Sequence, residues 1–227
     1  PPTRVGTSVG DLTAGLFALG AINAALYERE RTGLGRMIDV SMLDSQIAIL
    51  ENAVARYAVT GKPPGPLGAR HPSITPFEAY ETQDGYLIIA AGNNKLFTDL
   101  CSGLNRPDLA TDPRFLTNSD RAANVDALKT ELETTLKTKP TAHWLNVLDA
   151  AGVPHGPINN VEQALNDPQV RARNMVVHMR DPDGPDLMMA GNPIKISGVA
   201  DPSTRPPAPK LDADRAKILA ELGLTDE

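Results

Sequence analysis

Apolar side chains recur three and four residues apart from Leu12 through Leu16, Leu19, Ile22 and Leu26. That spacing predicts a helix opening at Asp11, and Ala14, Gly15, Ala18, Gly20, Ala21, Ala24 and Ala25 give it small surfaces for close packing against another element. Its polar tail, Tyr27-Glu28-Arg29-Glu30-Arg31, runs into a stop at Thr32-Gly33-Leu34-Gly35. Met37-Ile38-Asp39-Val40-Ser41-Met42 reads as a short strand. A second helix follows over about residues 43–59 and ends where Gly61-Lys62-Pro63-Pro64-Gly65-Pro66 forbids continuation.

Beyond a Gly- and Pro-rich loop over residues 65–73, the pattern changes to alternation. Residues 76–81 and 85–90 read as two strands joined around Gln83-Asp84-Gly85, because Asp-Gly between extended apolar segments signals a hairpin. Helical spacing returns after Asn93-Asn94, over about residues 119–137, and over about 141–151. Gly152-Val153-Pro154-His155-Gly156-Pro157 reads as a loop, with a short helical segment near residues 160–165 and a turn or short helix over 168–174. Residues 176–179 and 186–189 look like short strands separated by Asp183-Gly184. Four prolines between Asp201 and Pro209 predict an extended connector, and residues 212–222 close with a helix before Gly223.

The pattern divides into two parts: residues 1 to about 60, elements of a larger α/β body, and residues from about 70 to 190, a compact α+β domain. With 227 residues and 41% apolar side chains, the chain is large enough for one big domain or two modest ones. The net charge of −6 excludes the broad basic face that nonspecific nucleic-acid binding needs. The apolar stretch from Leu12 to Leu26 is interrupted by Thr13 and Asn23 and reads as a helix packed in protein, with no membrane span. Cys101 is the only cysteine, which excludes an intrachain disulfide or a cysteine-cluster metal site and fits a reducing compartment. The opening Pro-Pro-Thr-Arg, without Met or a targeting pattern, suggests a fragment or a processed chain.

The chemistry-bearing words are few. Ser8-Val9-Gly10-Asp11-Leu12-Thr13-Ala14-Gly15 sets a carboxylate at a helix start between glycines that let a ligand approach the backbone. Two readings follow: Asp11 as a cap accepting the first free amide hydrogens, or Asp11 as a nucleophile that needs tight positioning and oxyanion donors. Arg70 and His71, in the loop with Gly65 and Gly68, could steer a carboxylate or phosphate. His155, between Pro154 and Gly156, is a secondary candidate for proton transfer, while His143 and His178 sit in structural settings. The histidines lack metal-ligand spacing, and no phosphate loop, dinucleotide fingerprint or serine-esterase word occurs.

Taken in order, the words resemble the class III CoA-transferases, the CaiB/BaiF family of formyl-CoA and carnitine CoA-transferases. They are Gly10-Asp11 with its small-residue helix, Arg31-Thr32-Gly33-x-Gly35-Arg36, Ile38-Asp39-Val40-Ser41-Met42 and His71-Pro72-Ser73-Ile74-x-Pro76-Phe77. Asp84-Gly85-Tyr86, Ala91-Gly92-Asn93-Asn94 and Gly152-Val153-Pro154-x-Gly156-Pro157 complete the set. Within the family, Gly68-Ala69-Arg70-His71-Pro72-Ser73 and Val153-Pro154-His155-Gly156-Pro157-Ile158-Asn159-Asn160 are similar to the branch typified by succinyl-CoA:glutarate CoA-transferase.

The resemblance implies an α/β fold in which this chain is the C-terminal part. Residues 1–60 would be a central segment of an incomplete Rossmann-like large domain, residues 61–70 a linker and active-site loop, residues 71–190 a small α+β domain, and residues 191–227 a return to the large domain. It implies exchange of CoA between an acyl-CoA and a carboxylic acid, with Asp11 catalytic, CoA as substrate and carrier, and no metal or redox cofactor. It further implies an interlocked homodimer of complete subunits, an N-terminal portion supplied elsewhere, and a cytoplasmic or mitochondrial-matrix location. The family's usual Gly-Glu-His-Thr word is replaced by Asp212-Ala213-Asp214-Arg215. The competing readings are an acyl-CoA racemase or CoA-linked lyase using the same carboxylate for proton chemistry, and a noncatalytic fragment.

Overall fold

The computed structural model describes residues 4–180 and 184–224. The chain divides into two compact units, Pro1–Gly68 and Ala69–Glu227.

The first unit is built from three helices: α1 (Val9–Thr32), α2 (Met42–Ile49) and α3 (Glu51–Thr60). α1 ends at Gly33, whose φ of 72° lets the chain leave the helix in the left-handed conformation that side chains disfavour. The single helix expected over residues 43–59 is broken at Leu50, and Glu51 takes a φ of 26°. The strand expected at residues 37–42 does not form, because no neighbouring strand among the described residues offers it a hydrogen-bonding edge. Every residue of α1 lies outside the buried class. By length and composition alone α1 could cross a membrane, with a mean hydropathy of 1.5, a test that a soluble core helix also passes.

The second unit starts with the expected hairpin, β1 (Phe77–Glu81) against β2 (Tyr86–Ala90), antiparallel with Ala79 opposite Ile88. Then come α4 (Asn94–Gly103), α5 (Pro107–Thr111), α6 (Asn118–Ala123), α7 (Val125–Leu136), α8 (Thr141–Ala150) and β3 (His155–Pro157). The helix expected over 119–137 is thus two helices, with Asn124 between them. The loop expected at 152–157 contains β3, which pairs antiparallel with β2 through Ile89 opposite His155.

Leu128, Leu132 and Leu136 recur every fourth residue along α7 and are fully buried, closing a core with Tyr80, Leu87, Ile89, Phe97, Leu100, Trp144 and Leu148. Asp84, in the hairpin turn, accepts hydrogen bonds from the Thr141 amide at 2.7 Å and hydroxyl at 2.8 Å, so the hairpin caps α8.

Further along lie α9 (Val161–Asn166), α10 (Pro168–Ala172), β4 (Val176–Met179), β5 (Leu187–Ala190), β6 (Thr204–Arg205) and α11 (Arg215–Glu221). β4 pairs antiparallel with β5 and parallel with β6, which lies inside the expected connector. Gly191 is required by close approach: a Cβ there would collide with the Asn174 carbonyl. Asp183, expected in the turn before β5, lies outside the described residues.

Candidate active site

Asp11 is the third residue of α1, and Ser8, which makes no side-chain capping bond, occupies the N-cap position. The expected capping role is therefore not what the carboxylate does. Asp11 is exposed, and among the described residues none donates a hydrogen bond to it. The first-turn amides and the helix dipole favour a negative charge there without consuming its lone pairs. Gly10 allows α2 to come close: a Cβ at Gly10 would lie 3.2 Å from Gln46 Cδ and Nε2. Gln46, which the sequence reading passed over, is thus the α2 side chain against the helix start. One turn on, the Thr13 hydroxyl returns a bond to the Val9 carbonyl at 2.7 Å.

A cavity of this unit, about 210 Å³, is lined by Phe17, Val40, Ser41, Ser45 and Ala48 together with Asp39 and Asp44. Asp11 is not part of its lining, and two carboxylates make it a poor seat for an anionic substrate.

Gly65 and Gly68 belong to the first unit and Arg70, His71 and His155 to the second. Gly68 requires its lack of side chain, with a φ of 65°. Arg70 is half-buried, and among the described residues no carboxylate or carbonyl pairs with its guanidinium. His71 is more constrained. Its ring stacks on Phe77 at 5.2 Å with planes 5° apart, and its amide donates to the Phe77 carbonyl at 2.9 Å. His71 Nδ1 accepts from the Ser73 and Ile74 amides at 3.2 and 3.1 Å. Accepting from both amides commits the Nδ1 lone pair, so the proton of the neutral ring resides on Nε2.

His155 has the opposite tautomer. Its Nδ1 lies 2.7 Å from the Val153 carbonyl, which can only accept, so Nδ1 carries the proton and Nε2 keeps its lone pair. Residues directly opposite in an antiparallel pair share a face, so His155 lies on the face of Ile89, whereas Phe77 lies on the other face with Ala79, Ile88 and Ala90. The sheet thus brings the His155 and Phe77 positions to one end of the fold but not to one surface. His143 meets Trp144 edge-on, and His178 Nδ1 lies 3.3 Å from Asp186. Among the described residues no group of three or more His, Cys, Asp and Glu side chains is arranged to hold a metal ion. Cys101 is fully buried, and burial, its largest influence, pushes the thiol up to about 12, so it is an inert core side chain.

Sequence reasoning missed Asn118 and Arg121, which hold the turn after His71. Asn118 donates to the Ser73 carbonyl at 2.9 Å and accepts from the Thr75 amide at 3.0 Å. Arg121, fully buried, donates from Nε to the Thr75 carbonyl at 2.7 Å. The only local signal was an unusually polar helix start, Asn118-Ser119-Asp120-Arg121, which reads equally well as a solvated face.

The chain is 50% identical over 222 residues to the acetyl-CoA:oxalate CoA-transferase of Acetobacter aceti, covering 97% of this chain and 56% of that one. It is 37% identical to the succinyl-CoA:glutarate CoA-transferase of Mus musculus, covering 100% and 52%. Similarity is therefore higher to the oxalate enzyme than to the branch the loop words suggested. Among solved structures, a CAIB/BAIF family protein from Brucella suis matches with a TM-score of 0.80 at 39% identity, over 97% of this chain and 57% of that one. A hypothetical protein from Mycobacterium tuberculosis matches with a TM-score of 0.78 at 25% identity, over 96% and 57%. The α/β fold expected from the sequence is the fold of these proteins, and the chain spans about half the length of the curated relatives it matches. The model of CoA-transferase family III matches residues 1–215, and the chain belongs to that family.

Proposed function

We propose that this chain supplies the nucleophile and part of the acid-recognition surface of an enzyme that transfers CoA between an acyl-CoA and a free carboxylic acid. The Asp11 carboxylate attacks the thioester carbonyl, forming an acyl-aspartyl anhydride and releasing CoA thiolate. The thiolate attacks the aspartyl carbonyl, which frees the donor acid and leaves an aspartyl-CoA thioester. The acceptor carboxylate then attacks that thioester, giving a second anhydride and thiolate, and thiolate attack on the acyl carbonyl releases the new acyl-CoA and restores Asp11. Each step is nucleophilic acyl substitution, so electrons and protons balance without a metal or redox cofactor, and the barrier is divided among smaller ones. CoA is both substrate and carrier.

The observation that carries the reading is the Asp11 carboxylate itself, exposed in the first turn of α1 with no hydrogen-bond donor engaging it among the described residues. A helix-capping carboxylate would instead have its oxygens taken up by the first amides. Half-buried Arg70, whose guanidinium has no carboxylate or carbonyl partner among the described residues, supports a short dicarboxylate as acceptor, since a guanidinium can grip a second carboxylate. Relatives named for oxalate and glutarate point to the same substrate class. This chain spans about half the length of those relatives, and the proposed working form is a homodimer of complete subunits.

The test is acyl exchange in that complete assembly. Asp11→Asn should lower exchange on the order of a thousandfold or more, and exchange at the original rate would refute the nucleophile. In the same assay Arg70→Ala should raise KM for a dicarboxylate roughly tenfold or more and leave a monocarboxylate unchanged. Unaltered discrimination between the two acids would remove Arg70 from the recognition surface.

A further inference from the structure

We propose that Arg121 and Asn118 are positioning residues that act through His71, holding its ring in one tautomer so that Nε2–H is presented as a fixed donor to the substrate carboxylate. The proposal rests on the reading of Arg70 and His71 as the acid-recognition surface.

The turn from residue 71 to 77 has its backbone groups engaged one after another. The Ser73 and Ile74 amides point at His71 Nδ1. Asn118 takes the Ser73 carbonyl and the Thr75 amide, and Arg121 takes the Thr75 carbonyl. Beyond it, His71 N and the Phe77 carbonyl close the loop. If Asn118 let go, the Ser73 and Ile74 amides would lose the alignment that makes Nδ1 an acceptor, and the ring proton would redistribute between the two nitrogens.

Arg121 is the unusual member. It is 0% exposed, yet none of its hydrogen bonds goes to a carboxylate. They run to the Thr75 carbonyl, to the Phe115 carbonyl at 3.0 Å, to the Leu116 carbonyl at 3.4 Å and to Asn94 Oδ1 at 3.1 Å. Its guanidinium lies 4.5 Å from the Phe97 ring centroid. A buried guanidinium without a counter-carboxylate is an expensive way to fill a core. What it does here that an aliphatic side chain could not is hold the Asn94 side-chain oxygen of α4, the carbonyls of Phe115 and Leu116 just before α6, and the His71 turn at once.

Long-range imidazole nitrogen NMR on the full 227-residue chain reads the tautomer directly. The unmodified chain should show His71 with an unprotonated Nδ1 and a protonated Nε2. Asn118→Ala should lower the ratio of the two tautomers about tenfold, and Arg121→Met should do the same, with Arg121→Lys restoring part of it. The Trp144 indole, which donates to the Leu136 carbonyl, serves as the folding control and should not move in Asn118→Ala. An unchanged His71 tautomer in Asn118→Ala with the Trp144 signal intact would overturn the proposal. Titration of the complete assembly with succinate and with acetate separates the two readings. A succinate-specific shift of the His71 Nε2 proton that Asn118→Ala weakens supports both. A tautomer change with no response to succinate upholds the positioning claim while overturning the recognition surface.

Discussion

α1 and α7 present the same kind of apolar spacing with opposite outcomes. In α7, Leu128, Leu132 and Leu136 are fully withdrawn from water. In α1, Leu16 is 67% exposed, and Leu12, Leu19, Ile22 and Leu26 are exposed as well. Periodicity and small, helix-tolerant residues suffice for a helix to form. Whether its stripe becomes a core depends on what packs against it: α7 has β1 and the helices around it, whereas α1 is in contact chiefly with α2 within its unit. Energetic weight therefore sits in the second unit, and the chemistry assigned to Asp11 sits on the unit that contributes least burial.

That contrast can be broken most directly by truncation. Leu132→Ala should destabilise the second unit by about 2–5 kcal/mol, read by urea unfolding with Trp144 fluorescence. Leu16→Ala should change stability by no more than about 0.5 kcal/mol, read by far-UV circular dichroism. Equal effects would mean that the apolar stripe of α1 is already buried in the isolated chain.

A smaller effect sharpens the comparison within the second unit. The Thr141 amide, followed by its hydroxyl, holds the Asp84 carboxyl below the usual carboxylate range. A depressed folded value means the cap contributes stability above the unfolded carboxylate range near ~4 and loses it as pH falls through the folded value. The stability difference between the original chain and Asp84→Asn should therefore be steady at neutral pH and shrink toward the Asn variant below pH ~4. A difference independent of pH would show that the negative charge plays no part in the cap.

The hairpin of β1 and β2 was legible because Asp84-Gly85 fixes the turn locally, and the observed strands differ from the reading by a residue at their starts. β3 was hidden because Gly and Pro dominate residues 152–157, a composition that an edge strand tolerates since only one side must pair. The converse error, a strand read at residues 37–42, has the same cause: a β pattern predicts willingness to pair, and pairing needs a partner. Asp11 stands out by its local word, but its position in the helix could not be read, because a serine three residues earlier competes for the cap. The grip of Arg121 on Thr75 spans 46 residues of sequence and left no local pattern to read.

The central claim is that Asp11 carries acyl and then CoA groups. The most direct measurement is intact-mass analysis of the complete assembly, mixed with an acyl-CoA donor and quenched rapidly, followed by peptide mapping. The account predicts an adduct of acyl or CoA mass on the peptide containing Asp11, absent from Asp11→Asn. A folded, exchange-competent assembly whose adduct maps to another residue, or forms equally in Asp11→Asn, would contradict it.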